Sequence, residues 1–193
     1  MLSGVNNQDE ERRRITGLFI GIIALALSVM GGCKYMGTGQ SLPPETVSHV
    51  DLKRYMGVWY EIARYPNRFQ KGCIGSRATY TLLKGGEVSV LNECYEGSFS
   101  GRLRSAKGKA WVVDKETNAK LKVSFFWLFA GDYWIIDLDD EYSYVVVGHP
   151  KRKYLWILSR TKTMENDAYE GILRRLGDIH HYDTSKLIRT LQK

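Results

Sequence analysis

The chain of 193 residues predicts an all-β domain followed by a single helix, and three observations carry that prediction. First, the run Gly57-Val58-Trp59-Tyr60-Glu61-Ile62-Ala63-Arg64-Tyr65-Pro66 alternates Val58, Tyr60 and Ile62 with Trp59, Glu61 and Ala63. That is the period of a strand, with Gly57 and Pro66 marking its ends. Second, from Gly57 to Arg160 short β-rich runs recur about every dozen residues, parted by turn residues. Third, beyond Arg160 the spacing of Tyr169, Ile172, Leu173 and Leu176 is helical. These observations leave an up-and-down antiparallel barrel and a sandwich equally open.

Ahead of the domain stand Arg12-Arg13-Arg14, the apolar stretch Ile15 to Met30, then Gly31-Gly32-Cys33. As a helix, residues 15–30 span about 24 Å, short of the roughly 30 Å of a hydrocarbon core, so a secretion signal is expected rather than a stable span. Small residues before a cysteine resemble a bacterial lipoprotein cleavage site, although Met30 and Gly31 depart from its usual leucine and alanine or serine. The resemblance implies a signal peptide over residues 1–32 and a lipidated Cys33. Lys34 after that cysteine implies an outer-membrane destination. Residues 33–50, with Pro43-Pro44, are expected to form a flexible tether and residues 51–193 the folded domain.

The strands expected are Ser76 to Leu83 and Glu87 to Asn92 about the turn Lys84-Gly85-Gly86, and Gly101 to Lys107 and Lys109 to Val113 about Gly108. Ala119 to Trp127, Asp132 to Leu138, Tyr142 to Gly148 and Tyr154 to Arg160 complete them. A helix is expected to start near Thr163-Met164-Glu165-Asn166 and to end at Gly177 as its C-cap. With Cys33 taken by lipid, export puts Cys73 and Cys94 in an oxidising compartment, where a disulfide is expected. A metal site or reactive thiol would need a C-x-x-C pair or an adjacent histidine, and neither cysteine has one.

The Gly57-Val58-Trp59 run resembles the first motif of the lipocalin family, whose tryptophan plugs the closed end of a barrel. Leu155-Trp156-Ile157-Leu158-Ser159-Arg160 resembles the family's third motif, whose arginine lies against that tryptophan. Leu138-Asp139-Asp140-Glu141-Tyr142 keeps part of the second motif, and Tyr182 to Leu187 resembles the end of the bacterial branch. The resemblance covers about residues 48–193. It implies an eight-stranded antiparallel up-and-down β-barrel, with one C-terminal amphipathic α-helix packed outside, closed by Gly57, Trp59 and Arg160.

In such a barrel the inward parity of each strand decides what is bound. By resemblance to lipocalins with known pocket faces, Ala78, Tyr80, Val88, Val90, Leu121, Val123, Phe125, Tyr133, Ile135, Val145, Val147 and Trp156 are expected inside. The tyrosines and Asn92 would orient a polar head nearer the mouth. The same residues could instead pack a filled core. Glu61 shares the inward parity and would need a cation or hydrogen-bond donor there. The ligand implied is a fatty acid or lysophospholipid, stored or carried at the periplasmic face of the outer membrane by a protein anchored through its lipid.

Other readings are weaker. A formal charge of +7 could suggest nucleic acid, but the basic residues are dispersed and no nucleic-acid motif accompanies them. Asp137, Asp139, Asp140 and Glu141 lack the frame of a calcium loop, and His180-His181 lacks a third ligand, so no metal or other cofactor is expected. No G-x-S-x-G elbow or Cys–His pair points to catalysis. An enzyme acting on a lipid or isoprenoid, and a structural envelope lipoprotein, are the alternatives. Phe125-Phe126-Trp127-Leu128-Phe129 can bury only alternate members, which leaves a hydrophobic lip for the bilayer or a homodimer contact.

Overall fold

The computed structural model describes residues 42–193 with the exception of Trp127; the expected signal peptide, Cys33 and the first part of the tether lie outside the described residues. After a short helix α1 (Leu52–Tyr55), capped by Asp51 Oδ1 accepting from the Lys53 and Arg54 amides, the strands follow in chain order. They are β1 (Gly57–Arg64), β2 (Cys73–Leu82), β3 (Val88–Glu96), β4 (Leu103–Val112), β5 (Lys120–Phe126), β6 (Phe129–Leu138), β7 (Tyr144–Gly148) and β8 (Leu155–Ser159). Helix α2 (Asn166–Asp178) and a short β9 (Ile188–Arg189) end the chain.

Each strand from β2 to β7 pairs antiparallel with the next, β8 pairs with β1, and β1 pairs back onto β2. The ladder closes on itself, so the fold is a barrel and not a sandwich. Two apolar cores result. Strand parity sends Val145 and Val147 of β7 inward with Trp59, Tyr80, Val90 and Ile135. It sends Val146 outward, where it joins Ile62, Ile136, Leu155 and Ile157 beneath Ile172 and Leu176 of α2. Both faces of β7 and β8 are covered, which is why they read as unbroken apolar runs rather than alternating ones.

Three expectations need correction. Gly108 is not a turn: β4 runs straight through it, paired with Val90. A Cβ at that position would stand 2.6 Å from Ser124 O and 2.8 Å from Phe125 Cδ1, so the glycine is there for close approach of β5. Gly177 is not a cap either. The helix passes through it, His181 takes the left-handed conformation (φ 55°), and the Tyr182 amide bonds back to Leu176 O. Finally, the tether does not extend over its last residues. The Val47 amide donates to Ile135 O, the Val50 amide to Thr117 O, and Pro44 and Val50 are buried.

The Cys73–Cys94 disulfide is formed, joining β2 to β3 beside the pair Cys73↔Glu96. Closing a loop of that length restricts the unfolded chain by roughly 3 kcal/mol. A Cys73→Ala/Cys94→Ala variant is therefore expected to lose about 2–4 kcal/mol in urea unfolding, with an unchanged barrel by circular dichroism.

His180, just past α2, is buried, and burial first of all pushes its pKa below 6.5. The folded state thus binds this proton less readily than the unfolded chain. Its contribution is complete above about pH 6.5 and is lost as the pH falls toward the folded value. Unfolding free energy measured from pH 8 down to 5 should decline, and less steeply in His180→Leu.

Candidate functional site

One end of the barrel is sealed. Trp59 is fully buried, its Nε1 donates to Tyr55 O at 2.8 Å, and the Arg160 guanidinium lies 3.8 Å from the indole centroid. Arg160 donates from Nη1 to Val58 O (3.0 Å) and from Nη2 to Arg54 O (2.6 Å). One planar cation thereby holds the lead-in and β1 together while covering the ring. Gly57 (φ 98°) is required at the bend, and a Cβ there would crowd Arg160 Nη1 at 3.3 Å.

Above the indole three tyrosines meet. Tyr133 Oη is 2.6 Å from Tyr55 Oη and 2.9 Å from Tyr80 Oη, and Tyr55 stands 5.3 Å from the Trp59 ring. Burial raises all three phenols, Tyr80 to about 12, so they stay protonated and act only as neutral hydrogen-bonding groups. Around them Leu52, Met56, Val88, Ala110, Leu121, Val123 and Ile135 enclose a cavity of about 10 Å³, room for one water molecule.

The expected inward residues all fall on the interior face, in two tiers. Ala78, Tyr80, Val88, Val90, Leu121, Ile135, Val145 and Val147 are buried and pack with the floor. Val123, Phe125, Tyr133 and Trp156 are half-buried against the same core, and Asn92, on the parity of Val88 and Val90, is exposed. The interior is therefore filled at the floor and accessible to solvent toward the opposite end. At the turn joining β5 to β6, Phe126, Leu128 and Phe129 project at 74, 63 and 75% exposure.

Near that open end is a polar cluster that sequence reasoning only half anticipated. Glu61 pairs across the ladder with Leu158, and Arg64 with Trp156, so both share the interior face. Arg64 Nη1 donates to Glu61 Oε1 (2.8 Å) and to Thr190 Oγ1 (2.9 Å). Gln70, from the loop after β1, donates to Glu61 Oε2 and accepts from Trp156 Nε1. The seam between β1 and β2 stops pairing after Tyr60↔Arg77, and the chain end fills it. Gln192 Nε2 donates to both Glu61 O and Ser76 O, Thr190 N to Ile62 O, and Gly75 N to Leu191 O. The carboxylate at position 61 was legible as a buried group in want of a partner. Its partners Gln70 and Thr190 come from a loop and a terminus with no periodic signal.

The family model of the lipocalin-like domain matches residues 50–192. The chain is a lipocalin. Among curated relatives, Temperature-induced lipocalin-1 of Arabidopsis thaliana is 42% identical to it over 157 residues, covering 77% of this chain and 82% of that one. The outer membrane lipoprotein Blc of Escherichia coli K12 is 42% identical over 142 residues, covering 74% and 79%. Among solved structures, insecticyanin of the tobacco hornworm Manduca sexta superposes with a TM-score of 0.62 at 22% identity, over 79% of this chain and 85% of that one; it bears on the fold alone. In this lipocalin the plug tryptophan, its arginine and the preceding glycine come together at the floor. Among the described residues no group of three His, Cys, Asp or Glu is placed to hold a metal ion.

Proposed function

We propose that this lipocalin binds a single-chain lipid, a fatty acid or lysophospholipid, and stores or carries it at the bacterial envelope without breaking a bond. The observation that carries the reading is an apolar interior sealed at the Trp59 floor and accessible at the other end, with Phe125, Trp156 and Asn92 toward that end. About fifteen buried methylenes contribute roughly 12 kcal/mol, and after an association cost of about 4 kcal/mol this leaves the −8 kcal/mol or so of a micromolar complex. The chain displaces Tyr133 and Phe125 as it enters, because the lower tier leaves only about 10 Å³. That small volume also favours a second reading, a filled structural barrel. Incubation with fatty acid followed by native mass spectrometry separates them: intact lipid retained one-to-one supports carriage, altered lipid means an enzyme, and no uptake means the filled barrel.

The proposed location is the periplasmic face of the outer membrane, as the name of the Escherichia coli relative suggests. Residues 1–32 would act as a signal peptide, lipid on Cys33 as the anchor, and residues 51–193 as the binding domain. Cys33→Ser should move the protein from the membrane to the soluble fraction. Phe126, Leu128 and Phe129 are proposed as a lip touching the bilayer. Phe126→Ser/Phe129→Ser should slow lipid transfer from vesicles; unchanged transfer with loss of a dimer would assign the patch to self-association.

A further inference from the structure

The two ends of the barrel differ in charge. With Trp59 and the start of β1 at the sealed end, the connections that follow β1, β3, β5 and β7 all lie at the mouth. These connections, residues 65–72, 97–102, 127–128 and 149–154, carry Arg68, Lys71, Arg102, Lys151, Arg152 and Lys153 and no aspartate or glutamate. The turns at the sealed end, residues 83–87, 113–119 and 139–143, carry Glu87, Asp114, Glu116, Asp139, Asp140 and Glu141 against Lys84 and Lys115. The lead-in and the segment after β8 add Lys53, Arg54, Arg160 and Lys162 against Asp51 and Glu165, which still leaves that end net negative.

Neighbouring acids do not neutralise the mouth. Glu96, at the end of β3, meets both Arg102 and Arg104, Asp132 meets Lys122, and Asp183 meets Lys186. Arg68, Lys71, Lys151 and Lys153 are exposed and form no ion pair among the described residues. Apolar side chains stand among these cations. Phe126, Leu128 and Phe129 project from the β5–β6 turn. On the far side of the ring of strands, Phe69 of the β1–β2 loop is 55% exposed, with the Arg68 guanidinium 5.1 Å from its ring. An acidic protein surface is matched by cations alone. A bilayer is matched by cations that meet phosphates and apolar tips that enter between the heads, and the mouth presents both.

Resting on the reading of the β5–β6 tip as a bilayer lip, we propose that the mouth is a docking face for anionic phospholipid bilayers. Arg68, Lys71, Lys151 and Lys153 meet the phosphates while Phe69, Phe126, Leu128 and Phe129 enter the interface. The net negative sealed end is repelled by the same surface, so the charge polarity turns the calyx toward the membrane. Apolar tips alone give docking indifferent to lipid charge; the cations make it selective for anionic leaflets and sensitive to salt.

The test uses the full-length Cys33→Ser chain, which has no lipid anchor, and sedimentation with vesicles of phosphatidylcholine alone or with about 30% phosphatidylglycerol. Binding to the anionic vesicles is expected to exceed binding to the neutral ones at least about tenfold at roughly 20 mM salt, and to lose most of that margin at about 0.5 M. Lys151→Glu/Lys153→Glu should remove most of the margin while leaving fatty acid binding in solution unchanged. Lys84→Glu/Lys115→Glu, the same change of net charge placed at the sealed end, should leave the margin intact. Equal binding to both vesicles, or equal losses in the two double variants, overturns the docking face. Phe126→Ser/Phe129→Ser should weaken binding to both kinds of vesicle alike; no effect there overturns the lip, while a surviving margin that depends on Lys151 and Lys153 upholds the cationic face.

Discussion

Trp59→Ala is expected to lower the unfolding free energy by about 3–5 kcal/mol, equivalent to roughly 10 °C in melting temperature for a domain of this size. The indole is completely buried, so the loss combines its transfer energy with a cavity at the barrel floor. It also strands the Tyr55 carbonyl, which accepts from Nε1, and removes the surface on which Arg160 lies. Trp59→Phe keeps most of the volume and should lose only about 1–2 kcal/mol, chiefly the hydrogen bond. Urea unfolding of the two variants checks the order, and equal losses would show that packing is not what the floor depends on.

Glu61→Ala is expected to cost a further large amount, about 3–5 kcal/mol, for a different reason. It leaves the Arg64 guanidinium buried without its counter-charge, and removing one partner of a buried pair costs far more than the pair itself contributes. It also releases Gln70 and Thr190, which donate to the same carboxylate. Opening of the loop after β1 and of the chain end should follow, visible as faster amide exchange at Gly75 and Thr190, whose amides bond across the seam. Replacing both charges, as in Glu61→Leu/Arg64→Met, should recover much of the loss. Stability as poor in the double variant as in the single one would show that the charges are not the cause.

The strands were readable because they carry their own period, which left barrel and sandwich open; the barrel itself was legible only through the resemblance of Gly57-Val58-Trp59 and Leu155 to Arg160 to lipocalin motifs. What the sequence concealed depends on contacts between distant segments. Gly108 looks like a turn residue, yet its reason is the approach of Ser124 and Phe125 from the next strand. Gly177 looks like a cap, but the helix continues until Tyr182 can bond back to Leu176 O, with the Tyr182 ring in the outer core. The residues expected inside by resemblance lie on the interior face, but strand parity carries no sign of which part of that face is filled and which is accessible. That difference arises from three tyrosines, on α1, β2 and β6, converging on one point. The Glu61 cluster was the least legible, since Thr190 lies 129 positions away in sequence.

Carriage requires the calyx to admit one acyl chain past Phe125 and Tyr133, and a titration of the protein with a fluorescent fatty acid, repeated on Val123→Trp, tests this most directly. Val123 lines both the half-buried tier and the small cavity above the floor, so an indole there blocks the passage at its narrowest point. Saturable one-to-one binding near micromolar in the parent, lost in a Val123→Trp protein of unchanged stability, is the predicted result. No saturable binding in the parent, or binding that Val123→Trp leaves intact, would contradict it.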